Sequence, residues 1–350
     1  MTTQNLPDLL RIENLKKTFS ISGGFFSRPL TLTALQDITF TVKKGETLGI
    51  VGESGCGKST LGRCILQLLA PDEGRVLWLG QDLTKLPAEE MRKRRRDLQI
   101  IFQDPLASLN PRMTVGDIIA DPLKSLMPEI DAKERRARVL RTMEAVGLLP
   151  EMINRYPHEF SGGQAQRIGI ARALITEPKL IVCDEPVSAL DVSIQAQILN
   201  LLSELKDEFG LTLIFISHNL SVVRHVSDRI LVLYLGRIVE LATGDAIYTD
   251  AKHPYTKALL TAVPIPDPKR ARMRNIDALV GEIPSPINPP SGCTFRTRCR
   301  HARDICAEQR PLLESLPDNR LVACHRWREI EEAEAAHAQF IRQAEAHETN

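Results

Sequence analysis

One stretch of the sequence has residue types and spacing suited to binding phosphate, namely Gly52-Glu53-Ser54-Gly55-Cys56-Gly57-Lys58-Ser59-Thr60. Its pattern, G-x-x-x-x-G-K-S, is that of a phosphate-binding loop. The glycines allow the backbone to turn its N–H groups toward phosphate oxygens. Lys58 can reach the outer phosphates, and Ser59 offers a hydroxyl ligand to a phosphate-bound Mg²⁺. The alternative is a chance match on a glycine-rich turn.

The residues around this loop favour the functional interpretation. An apolar strand is predicted over 47–51, immediately before the loop, and a helical pattern follows over 61–69. The helix directs the positive end of its dipole at the same anion that the loop amides would bind. A strand, a loop and a helix in this order are the structural context that a phosphate-binding loop requires.

Three more predicted strands end in polar residues. The strand 98–102 is followed by Gln103, the strand 180–183 by Asp184 and Glu185, and the strand 211–217 by His218. Carboxylate, amide and imidazole groups can bind a metal, and carboxylate and imidazole groups can also move a proton. Two of these residues have a structural alternative: a salt bridge for Glu185 and a structural role for His218.

Composition restricts the class of protein. The chain has 350 residues, 43% of them hydrophobic, which is enough for a sizeable core, and a net charge of +1. This charge gives no electrostatic case for a nucleic-acid partner. The basic run 92–96 lacks interleaved aromatic residues and is interpreted as a solvated helix face. We expect a cytoplasmic chain, because neither a signal peptide nor a membrane-spanning run is evident.

The pattern along the chain predicts three parts. The first, 1–252, contains the loop and the predicted strands, with a helical subdomain at about 104–173. From 253 to 330 prolines are dense and no long apolar run remains, which indicates an extended appendage. The last part, 331–350, is a charged, alanine-rich tail. A Gly/Pro-punctuated insertion is predicted at 22–29.

The order of the motifs resembles that of the ATP-binding cassette ATPases over about 9–241. The residues that carry the resemblance are the phosphate loop, Gln103, the run Ser161-Gly162-Gly163-Gln164, the pair Asp184-Glu185, Asp191 and His218. The resemblance implies an α/β fold: a RecA-like phosphate-loop core with an antiparallel β subdomain and a helical subdomain. It also implies a head-to-tail dimer with two ATP molecules between the subunits, and hydrolysis of ATP by phosphoryl transfer to water.

The resemblance also assigns roles to residues. Phe19 would stack on adenine, with a core aromatic as the alternative, and Ser59, Gln103 and Asp184 would hold Mg²⁺. Glu185 would be the general base, and His218 and Gln103 would sense the γ-phosphate. The loop Ser161-Gly162-Gly163-Gln164 would cap the ATP of the partner subunit, and Asp191 would lie at the dimer interface. Phe160 precedes this loop where leucine is usual, and both are apolar.

Two further stretches narrow the resemblance to the ATPases of oligopeptide and dipeptide permeases. They are 101–122 and the run His253-Pro254-Tyr255-Thr256-Lys257-Ala258-Leu259-Leu260, with Pro284, Pro289 and Pro290 before Gly292-Cys293. The implied function is ATP-driven uptake of di- or oligopeptides across the bacterial inner membrane. The alternatives are a nickel or glutathione importer of the same branch, an exporter, and a soluble cassette ATPase that acts on DNA or ribosomes. Soluble cassette ATPases generally have two cassettes or a long coiled-coil insertion, and the sequence has neither.

Four of the seven cysteines cluster late in the chain, at Cys293, Cys299, Cys306 and Cys324. Four thiolates suit an iron–sulfur cluster or tetrahedral zinc, and four free thiols are the third possibility. The wide spacing, C-x₅-C-x₆-C-x₁₇-C, argues against zinc. Some members of the resembled family hold a [4Fe–4S] cluster on such cysteines, so the resemblance implies one here.

The resemblance also implies partners and a location. They are a second cassette subunit, identical or related, two membrane-spanning permease subunits and a periplasmic peptide-binding protein. The chain would then lie at the cytoplasmic face of the inner membrane. No nucleic acid is expected.

Overall fold

The computed structural model describes residues 8–21, 29–261, 281–333 and 336. The predicted insertion at 22–29 and the charged tail from 331 lie largely outside the described residues. In the described part the strands are β1 (Asp8–Ile21), β2 (Leu30–Lys43), β3 (Thr47–Val51), β4 (Glu73–Trp78), β5 (Gln81–Asp82), β6 (Leu98–Ile101), β7 (Leu180–Asp184), β8 (Thr212–Ser217), β9 (Arg229–Tyr234), β10 (Arg237–Thr243), β11 (Glu314–Ser315) and β12 (Leu321–Val322).

The helices of the same ranges are α1 (Lys58–Ile65), α2 (Ala88–Arg94), α3 (Val115–Leu126), α4 (Ala132–Ala145), α5 (Gly162–Leu174), α6 (Val192–Phe209), α7 (Leu220–Val226), α8 (Gly244–Asp250), α9 (Pro254–Thr261) and α10 (Asp304–Glu308). Side-chain hydrogen bonds cap the N-termini of several of them. Thr114 caps α3 and Asp131 caps α4, each by accepting a backbone N–H three residues on. Such caps satisfy amides that have no partner within the helix.

A large mixed sheet, in the order β11-β12-β10-β9-β3-β8-β7-β6, forms the centre of the molecule. Its strands from β9 to β6 run parallel. The strands β3, β7 and β8 are buried along their whole length, as expected where helices cover both faces of a parallel sheet. The carboxyl ends of these strands therefore meet at one edge, where ligands bind in folds of this kind.

A second sheet, in the order β2-β1-β4-β5, is antiparallel. Its inner face contributes apolar side chains such as Ile12, Leu35 and Val76 to a core shared with β3 and α1. On the other side of the central sheet, α3, α4 and α5 pack together in a second apolar core. This arrangement has the antiparallel β part, the phosphate-loop core and the helical part that the sequence predicts.

The C-terminal segment adds strands to the central sheet. β12 pairs antiparallel with β10, through Glu240 with Val322 and Leu241 with Leu321, and β11 pairs with β12. Phe295 is buried beside Tyr255 in the same apolar core as α3, α4 and α5. The segment therefore extends the sheet and packs on the cassette.

Within the described ranges, we find no helix with the length and apolar character needed to cross a membrane.

Candidate nucleotide site

A cavity of about 890 Å³ lies at the carboxyl edge of the central sheet. It is lined by Phe19, Leu32, Ala34, Ser54, Gly55, Gly57, Lys58, Ser59, Thr60, Gln103, Asp104, Glu185, Ser188, Ala189 and His218. Most of the residues predicted from the motifs therefore come together in one cavity, although they come from widely separated parts of the sequence. Its size is in the range of small-molecule and cofactor sites.

The phosphate loop turns between β3 and α1. Gly57 has a φ of +105°, and a Cβ there would lie 2.4 Å from the backbone oxygen of Ala34. Only glycine fits both the conformation and the space. Lys58, which begins α1, is buried, and its Nζ donates to the carbonyl oxygens of Gly52 at 2.8 Å and Glu53 at 3.1 Å. The ammonium group is thus held against the loop, within the cavity wall.

Oxygen ligands meet beside this lysine. The Ser59 hydroxyl donates to Asp184 Oδ1 at 2.7 Å, at the end of buried β7. Burial raises the pKa of Asp184, and the hydrogen bond from Ser59 opposes this rise. A hydroxyl beside a carboxylate provides the hard oxygen ligands that Mg²⁺ prefers, so these residues fit the ion.

Glu185 is the centre of a short hydrogen-bonded chain. Its Oε2 accepts from Gln103 Nε2 at 3.3 Å and lies 3.1 Å from His218 Nδ1. Its backbone has a φ of +49°, which is unusual for a residue with a side chain. Its N–H donates to the Ile216 carbonyl of β8, which holds this turn in place. Glutamine, glutamate and histidine, each predicted from a strand end, are therefore adjacent.

The opposite wall of the cavity is apolar. Phe19 from β1 and Leu32 and Ala34 from β2 line it, and Phe19 is 37% exposed. Lys17 Nζ lies 5.8 Å from the centre of this ring. An exposed ring at a cavity mouth can stack on a flat heterocycle. Leu32 and Ala34 were not predicted as site residues, because their alternating strand pattern also suits a core strand.

The structure does not bring the predicted signature loop to this cavity. Ser161 begins α5 in a capping box with Gln164, whose backbone N–H donates to the serine hydroxyl. Ser161 and Gly162 are exposed, as is Asp191 at the start of α6. These residues form part of the surface and do not line the cavity of their own chain.

Three residues of the predicted loop also do not line the cavity: Gly52, Glu53 and Cys56. Cys56 is buried, and burial raises the pKa of its thiol to about 11. Asp104, Ser188 and Ala189 line the cavity but were not predicted as nucleotide-site residues. Their sequence signal is their position: Asp104 directly follows Gln103, and Ser188 and Ala189 lie three and four residues after Glu185.

The four late cysteines line one small cavity of about 20 Å³. Burial raises the pKa of Cys293 to about 11 and that of Cys324 to about 12. Among the residues that the structure describes, no group of three or more His, Cys, Asp or Glu side chains is arranged to hold a metal ion. The structure therefore does not support the predicted iron–sulfur cluster.

Comparison with known proteins identifies the class to which this fold and site belong. Residues 35–188 match the family model of ABC transporters, and residues 239–306 match that of the oligopeptide/dipeptide transporter C-terminal region. The chain belongs to the ATP-binding cassette transporter ATPases, in the oligopeptide/dipeptide family. It is accordingly an ATPase for which ATP and Mg²⁺ are expected.

Individual relatives are similar over nearly their whole length. The chain is 58% identical over 328 residues to the oligopeptide transport ATP-binding protein OppF of Haemophilus influenzae, covering 93% of this chain and 99% of the relative. It is 61% identical to OppF of Salmonella typhimurium, covering 87% and 92%. Among solved structures, the cassette MJ0796, a dimer bound to ADP and Pi, matches with a TM-score of 0.60 and 32% identity, covering 67% of this chain and 98% of that one.

Proposed function

We propose that this chain is the ATP-hydrolysing subunit of an importer of oligopeptides. The observation that carries the proposal is the identity of 58–61% to oligopeptide transport ATP-binding proteins over 87–93% of the chain. A dipeptide transport ATP-binding protein of Haemophilus influenzae is less similar, at 49%. This difference favours longer peptides over dipeptides. These relatives do not favour the nickel or glutathione alternative, and the test below includes both compounds as controls.

The phosphate loop would bind the β- and γ-phosphates of ATP. Loop residues and the first turn of α1 line the cavity, and Lys58 would exchange its two carbonyl contacts for phosphate oxygens. Ser59, Asp184 and Gln103 would hold Mg²⁺, which neutralises the charge that develops on the phosphates. The exposed Phe19 ring would stack on adenine.

Glu185 would act as the general base for the attacking water. It lies beside Gln103 and His218 in the cavity, and a carboxylate held at hydrogen-bond distance can orient a water molecule and accept its proton. His218 would contact the γ-phosphate and so connect the nucleotide state with Glu185. Most of the catalysis would come from positioning and charge neutralisation.

The signature loop and Asp191 would act across a dimer interface. Their exposure supports this, because the residues that could complete a second wall of the cavity lie on the surface. The capped N-terminus of α5 carries two glycine amides that suit a γ-phosphate of the partner chain. We further propose that the partner is a related cassette subunit rather than a second copy.

The remaining partners follow from import itself. Two membrane-spanning permease subunits would form the pathway, a periplasmic protein would deliver the peptide, and the chain would lie at the cytoplasmic face of the inner membrane. The segment 104–113, between the cavity residue Asp104 and α3, would contact the permease. It includes Leu106, which is 47% exposed.

A further part of the proposal is that the four late cysteines hold an iron–sulfur cluster. In its favour, all four late cysteines line one cavity. Against it, no metal-holding arrangement is found in the described part of the chain. Purification without oxygen, followed by iron analysis and a visible spectrum, decides between the two. About four irons per chain would support a cubane cluster, and no iron would leave four free thiols.

Uptake measurements test the peptide assignment. Cells whose gene copy carries Lys58→Ala should lose uptake of a labelled tripeptide, and cells with the wild-type copy should keep it. Parallel assays with labelled nickel and labelled glutathione serve as controls. Loss of nickel or glutathione uptake with unchanged peptide uptake would contradict the peptide assignment and leave the ATPase assignment intact.

A further inference from the structure

Every polar group of Glu53, the second residue of the phosphate loop, forms a hydrogen bond. Its backbone N–H donates to the Tyr255 hydroxyl at 3.0 Å, and its carbonyl oxygen accepts from Lys58 Nζ at 3.1 Å. Its carboxylate accepts two hydrogen bonds from the Arg298 guanidinium, at 2.7 and 3.0 Å. Two of these three partners, Tyr255 and Arg298, come from the C-terminal part of the chain.

The pair of Glu53 and Arg298 is shielded from solvent. The Arg298 side chain is 4% exposed and that of Glu53 is 20% exposed. Bidentate pairs of arginine and carboxylate are among the stronger hydrogen-bonded contacts, and they fix geometry as well as charge. Where such a pair is buried, removing one partner leaves the other charge uncompensated.

Aromatic packing fixes the two partners of Glu53. Phe295, three residues before Arg298, packs edge-on against Tyr234 of β9 with ring centres 5.3 Å apart. The ring centre of Tyr255 lies 4.6 Å from that of Tyr234 and 5.3 Å from that of Phe295. The guanidinium and the hydroxyl are therefore supported by a rigid, buried cluster on the central sheet.

The Glu53 carboxylate presents an electrostatic problem for its own loop. A negative charge one residue from Ser54 and two from Gly55 would repel the phosphates of ATP, and the side chain is turned out of the cavity toward Arg298. The guanidinium neutralises this charge where the dielectric screening by water is weak. Without Arg298, the uncompensated Glu53 carboxylate would weaken the attraction between the loop and an anion.

We propose that Arg298 and Tyr255 are positioning residues for the phosphate loop, so that the C-terminal segment sets the affinity of the cassette for ATP. Arg298 neutralises and orients Glu53, and Tyr255 holds the Glu53 amide, which fixes the loop before nucleotide arrives. This inference rests on the proposed role of the loop in binding ATP. It adds two residues that do not touch the nucleotide.

The first experiment compares Arg298→Gln with the double variant Arg298→Gln/Glu53→Gln. In the full-length chain, we expect Arg298→Gln to weaken binding of a fluorescent ATP analogue by about tenfold, equivalent to about 1.4 kcal/mol. The double variant should bind more tightly than Arg298→Gln, because it also removes the uncompensated carboxylate. In the complex purified with its other subunits, KM for ATP should rise while kcat changes by less than about twofold, as for lost uniform binding.

Arg320→Gln is the matched control. Arg320 lies in the same C-terminal segment and pairs with Asp250 at 2.9 Å, away from the phosphate loop. It should lower the melting temperature without changing ATP affinity. The inference is overturned if Arg298→Gln keeps wild-type affinity, if Arg320→Gln weakens affinity equally, or if the double variant binds no better than Arg298→Gln.

Tyr255→Phe provides a second test that retains the aromatic cluster. It removes only the oxygen that accepts the Glu53 N–H, and a smaller loss of affinity, about threefold, is expected. Tyr248→Phe is its control, because the Tyr248 hydroxyl donates to the carbonyl oxygen of Leu220 in α7 and not to a group of the phosphate loop. Equal affinities for Tyr255→Phe, Tyr248→Phe and the wild type would contradict the role of Tyr255, even if Arg298→Gln failed to fold.

Lys58→Ala separates the failure of this inference from failure of the proposed function. If Lys58→Ala binds the analogue as tightly as the wild type, the loop is not the ATP site and the proposed function fails. If Lys58→Ala loses binding while Arg298→Gln and Tyr255→Phe retain it, only the positioning role fails.

Discussion

Glu185 combines a strained backbone with two polar neighbours. The residue has a positive φ and directly follows β7, which is buried along its length. Its N–H donates a hydrogen bond to the Ile216 carbonyl. Unusual backbone angles persist when the surrounding structure enforces them, and they concentrate at functional sites. Here the angle turns the carboxylate into the cavity, where it meets Gln103 and His218.

At this scale, we predict that Glu185→Gln binds ATP normally and loses steady-state hydrolysis by at least about 100-fold, as expected for loss of a general base. The amide keeps the shape of the side chain and the possibility of hydrogen bonds, but it cannot accept the proton of water. Phosphate release under saturating ATP and equilibrium binding of a fluorescent analogue measure the two effects. Glu208→Gln, an exposed carboxylate of α6, is the control. Near wild-type turnover of Glu185→Gln would exclude this residue as the base.

At the scale of elements, the turn from α8 into α9 connects the C-terminal segment to strand β10, which lies between β9 and β12 in the central sheet. The carboxylate of buried Glu240 accepts the backbone N–H groups of Lys252 and His253 at 2.7 and 3.0 Å. The His253 ring then accepts the N–H of Tyr255 at its Nδ1, at 3.0 Å. This turn places Tyr255 against the phosphate loop, so its integrity affects the site.

His253 should make this turn sensitive to acid. Burial lowers the pKa of His253 from 6.5 to about 3. Below pH 6.5 the unfolded chain therefore binds a proton that the folded chain excludes. The stabilisation is complete above pH 6.5 and is lost as the pH falls toward 3. From this residue we expect the free energy of unfolding to decrease by about 2 kcal/mol between pH 7 and pH 5.

Denaturant unfolding at several pH values measures this effect. The control is His253→Asn, whose side-chain oxygen can accept the Tyr255 N–H but does not titrate. Its stability should fall less steeply over the same range. Parallel pH profiles for the wild type and His253→Asn would show that the acid sensitivity arises elsewhere.

At the scale of the whole molecule, the wall of the candidate nucleotide cavity of one chain lacks Ser161 and Asp191. Ser161 and Asp191 are exposed at the starts of α5 and α6. A cassette neighbour of known structure is a dimer bound to ADP and Pi. We predict that Glu185→Gln with ATP stays monomeric alone and forms a stable dimer only when a related cassette subunit is added.

Light scattering coupled to size exclusion, with and without ATP, measures this assembly. Introducing Ser161→Arg into the Glu185→Gln chain should abolish the dimer, because a bulky cation at the start of α5 would occupy the place of the partner's phosphate. An ATP-dependent dimer of Glu185→Gln alone would contradict the pairing with a related subunit and favour a homodimer.

Much of the site could be predicted from the sequence because its chemistry is local. A phosphate loop needs glycine, lysine and serine at fixed spacing, and polar residues at the ends of apolar strands are visible without a structure. The parallel order of β6, β7, β8 and β3 then brings Gln103, Glu185 and the loop to one edge. Their meeting follows from the strand pattern, since parallel strands present their carboxyl ends together.

The tertiary structure alone decided what depends on contacts between distant residues. Glu53 and Arg298 are 245 positions apart, and neither has a local signal that names the other. The sequence indicated an extended appendage, whereas β12 joins the central sheet because the edge of β10 has unpaired backbone groups to satisfy. The clustering of four late cysteines and the family resemblance suggested a metal site, but the positions of the cysteines around a cavity of about 20 Å³ are set by packing, which sequence clustering does not determine.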